Sequence, residues 1–131
     1  MKVKVATLPR AQYFPKIQNY DTSFYMLGWT PGTYDALDAL KALAATRSGK
    51  IGTFNVGGYS NPKLDGLIKQ IQVELDNEKR NEEIAQALTI LKDDFAYIPL
   101  HQQVVVWATK ANVDVAQTGD NFFQLRYVKM K

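Results

Sequence analysis

Asp35 and Asp38 stand three residues apart at the start of a helical pattern, a spacing that turns two carboxylates to one face, where a pair can divide acid and base work. Asp35 is also a residue type that caps helices by accepting from first-turn N–H groups, and capping is the simpler role for it. Other catalytic chemistries find little material. A triad needs an imidazole, and the single histidine, His101, lies in a strand-like run where a structural or exposed role is expected. With no cysteine and one histidine, a disulfide framework and a thiolate metal site are excluded, and no metal or cofactor is expected. Gly49, Gly52, Gly57 and Gly58 match neither the dinucleotide nor the P-loop glycine spacing. Asp93 and Asp94 read as part of a solvated face.

Recognition is the second kind of chemistry on offer. Trp29, Tyr34, Phe54 and Tyr59 all fall in the loops flanking the first long helical pattern. Aromatic side chains there can wall a pocket, because they offer large contact area with few rotamers to lose. Core packing competes for Trp29, which directly follows an apolar run.

A strand, a loop and a helix start must position these groups. Residues 23–29 are apolar nearly throughout, as in a strand covered on both faces. Pro31 and Gly32 then make a loop, and Asp35 opens a helix expected to reach about Thr46, with Leu37, Leu40, Leu43 and Ala44 as its apolar stripe. Ligands of α/β sheets lie at such carboxyl ends of strands, so the loop is expected to border a binding cleft.

The remaining elements follow from periodicity. Residues 2–8 alternate like a half-buried strand, and 11–17 suggest a helical turn around Pro15. Residues 48–60, with four glycines, read as an irregular loop. Asn61-Pro62 opens a helix to about Leu75, and a second helix from about Glu78 carries Ile84, Leu88, Leu91 and Phe95 as its buried stripe. Strands are expected at 98–108 and 122–128, with residues 110–115 between them as loop and short strand. This order indicates an α/β or α+β-like lobe: a mixed sheet with helices packed on it.

The 131 residues suit a single domain, and a composition 46% hydrophobic and 22% charged is ordinary for a folded one. The net charge of +3 belongs mainly to the ends, since residues 1–20 carry four cations and no acid. Residues 62–95 hold eight acids against five cations, which opposes a nucleic-acid role. No apolar run is long enough to span a membrane, and residues 1–8 lack the apolar core of an export signal.

Four pieces in order, LGWTPGTYD (27–35), NVGGYSNPKLD (55–65), DNEKR (76–80) and DFAYIPL (94–100), resemble the C-terminal third of family 5 extracellular solute-binding proteins, the dipeptide and oligopeptide receptors of ABC importers. The resemblance covers most of residues 3–128. It implies one lobe of a periplasmic-binding-protein type II architecture, with residues from about 108 to 131 resembling the return toward a missing first lobe. It further implies a non-enzymatic protein that closes around a peptide or similar solute and delivers it to an ABC permease. Its parent would be periplasmic or otherwise extracytoplasmic and membrane-associated, with the export signal outside this chain.

On that reading Trp29, Thr30, Gly32, Tyr34 and Asp35 line one wall of the cleft. Peptide-binding members place an Asp three residues beyond the Trp to pair with the ligand's ammonium, and here that position is Gly32. A buried ammonium without a carboxylate is costly, so either Asp35 substitutes or the ligand is not a free-amino peptide. Two other classes stand beside this one: a hydrolase using Asp35 and Asp38, and an interaction module that self-associates through exposed edges.

Overall fold

The computed structural model describes residues 2–131, which form two compact units meeting in sequence at Tyr97 and Ile98. The first unit is helical. Helix α1 (Arg10–Gln18) follows Pro9, carries Pro15 within it and buries Ile17. Helix α2 (Ala36–Ala39) runs directly into a π-helical turn, Leu40–Ala44. Helices α3 (Pro62–Val73) and α4 (Asn77–Asp93) pack against each other as the expected hairpin.

The starts of α2, α3 and α4 are fixed by side-chain caps. The Asp35 carboxylate accepts from the Leu37 N–H at 2.8 Å, Asn61 accepts from Lys63 and Leu64 ahead of Pro62, and Asp76 accepts from Lys79 at 3.0 Å. The core joins Leu40, Ala44 and Ala45 to Leu64, Leu67, Ile68 and Ile71 of α3 and Ala87 of α4. Ile84 and Leu91 pack on it half-buried, but Leu88 is half exposed and Phe95 lies beyond the helix in the left-handed region, exposed. The stripe expected on α4 is therefore centred on Ala87, whose small side chain lets α4 approach α3 closely.

The loop 48–60 is irregular, as expected, yet firmly held. At the end of the π turn the carbonyls of Lys41 and Ala42 accept from Gly52 and Phe54 N–H, each at 2.9 Å, and the Leu43 carbonyl accepts from the Tyr97 hydroxyl. Asn55, fully buried, donates to the carbonyls of Ala45 (2.9 Å) and Tyr59 (2.6 Å) and accepts from the Tyr59 N–H at 3.1 Å. These bonds satisfy helix-end groups that would otherwise be orphaned.

The second unit, Ile98–Lys131, holds the only sheet among the described residues: β1 (Val113–Val115) antiparallel to β2 (Val128–Met130), with Asp114 opposite Lys129. A 3₁₀ turn, Leu125–Tyr127, leads into β2, and the Trp107 indole donates to Asn121 at 2.6 Å.

The fold is thus of mixed helix and strand, α+β in character. The expected mixed sheet under the helices is not formed: residues 2–8, 23–29 and 98–108 have no regular structure. Apolar alternation reports a surface suited to a sheet, but a strand also needs a neighbouring ladder. Around Met26 that pairing is replaced by one side chain, since the Tyr13 hydroxyl donates to its carbonyl at 2.6 Å and accepts from its N–H at 3.2 Å.

Candidate functional site

The loop after Trp29 and the start of α2 border an open cleft of about 530 Å³. One wall is Thr33, Asp35, Leu37 and Asp38, the π turn contributes Lys41 and Ala42, and Lys50, Thr53 and Arg80 complete it. Of the five expected ligand residues the cleft contains Asp35. Trp29, Thr30, Gly32 and Tyr34 lie outside its lining.

Their positions have local causes. The Trp29 ring packs on Phe54 with centroids 5.2 Å apart, while its Nε1–H donates to Asp38 at 3.3 Å. Trp29 thus serves as a packing residue that braces a cleft carboxylate from behind. Gly32 has open space around it, and Tyr34 sits in the left-handed region (φ 55°), two-thirds exposed. Thr30 is exposed as well.

Asp35 does more than cap α2. It accepts from the Arg80 guanidinium at 2.9 Å, and the same guanidinium donates through Nε to the Ile71 carbonyl at 3.2 Å. Arg80 therefore clips the cleft loop to the α3–α4 joint. Its hydrogen bond and the Leu37 N–H hold the Asp35 carboxyl below the ordinary range, so this group stays ionised. Both carboxylates expected to share a face do line the one cleft, but Asp35 is committed to a cation and a helix start.

Arg80, Lys41, Lys50, Thr33 and Thr53 were missing from the sequence-derived site. Arg80 carried a readable signal: with Lys79 it puts two cations in the first turn of α4, the end where the helix dipole favours acids. Both find external carboxylates, Lys79 on Glu74 and Arg80 on Asp35. The lysines and threonines carried no such signal, since cations and hydroxyls in loops are common.

On the far side of the π turn an apolar hollow of about 140 Å³ lies between Leu40, Leu43, Leu88 and Tyr97. Burial pushes up the Tyr97 hydroxyl, which keeps it a neutral donor to the Leu43 carbonyl. Among the described residues no group of three His, Cys, Asp or Glu side chains could hold a metal ion, and no helix is long and apolar enough to cross a membrane. No family model, curated protein or solved structure matches the chain.

Proposed function

We propose that this chain is a non-enzymatic solute-binding lobe of the family 5 extracellular type, the C-terminal lobe of a periplasmic-binding-protein type II architecture that serves an ABC importer. The observation that carries the reading is the cleft itself, which opens where the loop after Gly28-Trp29 meets the helix start at Asp35. Its mixed lining of apolar, hydroxyl and charged groups suits a small polar solute. Exposed apolar side chains in the first unit, among them Val3, Val5, Phe24 and Met26, are consistent with a surface that a first lobe would cover. The parent would act outside the cytoplasm beside its permease.

Closure between lobes supplies half the contacts and excludes water, so this chain alone is expected to bind weakly, no tighter than roughly millimolar. Amide chemical shifts of the labelled chain, followed against a panel of neutral, cationic and anionic solutes, test this. Saturable shifts at residues 33–42 with at least one class support it. Shifts confined to other surfaces, or none, overturn it, and micromolar affinity would refute the half-site.

A second reading, a hydrolase using Asp35 and Asp38, is favoured by their shared cleft. Asp35, held ionised by Arg80, is the wrong partner to donate a proton, so Asp38 would have to be the acid. Hydrolytic activity abolished by Asp38→Asn would establish that reading over the first.

A further inference from the structure

The cleft's charges are not balanced among themselves. Of its acids, Asp35 is paired with Arg80 and caps α2, while Asp38 accepts only from the neutral Trp29 indole. Lys41 and Lys50 face the same space, and among the described residues neither ammonium has a carboxylate within ion-pair distance. With Asp35 and Arg80 paired to each other, Lys41 and Lys50 against the single Asp38 carboxylate leave the lining net positive by one charge, which raises the local anion concentration.

Their placement is enforced by backbone. Lys50 occupies a two-residue turn closed by reciprocal Ser48 and Ile51 bonds of 3.1 and 3.0 Å, with Gly49 at φ 57°. The next residue but one, Gly52, donates its N–H to the Lys41 carbonyl at 2.9 Å. The backbones that carry the two ammonium groups are therefore tied together, and Lys41 stands on a π turn, a helix irregularity often found at functional sites. Thr33 and Thr53 add hydroxyl donors, and Leu37 and Ala42 give an apolar side.

We infer that the cleft recognises a small organic solute by its oxyanion, a carboxylate or a phosphate, held between the ammonium groups of Lys41 and Lys50. This ligand class rests on the solute-binding reading of the same cleft.

Amide shifts of the full chain are to be recorded with succinate, glycerol 3-phosphate and the neutral succinamide, all at one ionic strength. Saturable shifts at Lys41, Lys50 and Thr53 with either anion support the inference, and whichever anion binds tighter distinguishes carboxylate from phosphate. The double variant Lys41→Gln, Lys50→Gln should weaken that binding by about tenfold or more. The charge-matched control Lys63→Gln, Lys69→Gln, on the exposed face of α3, should leave it unchanged. Each variant's own amide spectrum reports that it folds, and the two single lysine variants replace the double if it does not. If succinamide shifts the same amides as strongly as the anions, or the control weakens binding as much as the double variant, the anion inference is wrong while the cleft remains a solute site. Neither anion shifting these amides overturns the inference even where another solute class shifts residues 33–42, which would leave the solute reading standing.

Discussion

The Asp35 carboxylate meets the Arg80 guanidinium at 2.9 Å across 45 residues of chain, and the same carboxylate caps α2. One side chain thus fixes the start of the cleft helix and its distance from the α3–α4 joint. The two tasks can be separated by substitution. Asn caps nearly as well as Asp but cannot pair with a cation, whereas Ala does neither. Asp35→Ala is therefore expected to lower stability by about 1 kcal/mol more than Asp35→Asn in denaturant unfolding. Equal losses would mean that the cap contributes nothing.

The same contact gives a pH dependence. Asp35 is held below its ordinary value first by the Arg80 hydrogen bond, so its contribution is complete above the unfolded carboxyl value and is lost as pH falls through the folded one. Asp94, bonded by the Tyr59 hydroxyl and Asn61, and Glu74, bonded by Lys79, are shifted the same way. Unfolding midpoints should fall below pH ~4 and flatten above it. In Arg80→Met the acid-side slope should be shallower than in the wild type, and an unchanged slope would remove Asp35 from the account.

Gly52 is required by geometry at two levels. Its φ of 65° lies in the left-handed region, and a Cβ there would stand 2.4 Å from the Ala45 carbonyl oxygen, a backbone atom that cannot swing away. Gly49 shares the left-handed backbone, at φ 57°, but has open space around it. Gly49→Ala should cost about 1 kcal/mol from backbone strain alone, and Gly52→Ala clearly more, about 2–4 kcal/mol. Similar costs at both sites would show that the loop shifts freely, which would also loosen Lys50 relative to Lys41.

Legibility in the sequence followed the range of the interaction. Caps and helix periods are written within a few neighbours, so Asp35 and Asn61 announced α2 and α3, and periodicity placed the start of α4 near Glu78, one residue from Asn77. Strands depend on a distant partner, and runs such as 23–29 have the composition of a strand while Tyr13 takes the backbone groups of Met26. The cleft was legible at Asp35 and Asp38 and not at Lys41, because its entry depends on the π turn and on Gly52, 11 residues away. Trp29 pointed to the right region but fills space behind Asp38 rather than facing the cleft.

Tyr97 and Tyr59 should govern the alkaline limit. Burial is the main cause raising both hydroxyls, and Tyr59, which also donates to the Asp94 carboxylate at 2.6 Å, is pushed up to about 12. A phenol raised in the folded state contributes stability that is complete below its unfolded value, about 10, and that is lost as pH rises through the folded value. Stability should therefore decline from about pH 10 upward as the unfolded chain gives up these protons first. Tyr97→Phe removes the donor to the Leu43 carbonyl and should cost about 1–3 kcal/mol at neutral pH while making the alkaline decline gentler. If Tyr97→Phe and the wild type lose stability in parallel above pH 10, Tyr97 ionisation is not what limits the fold.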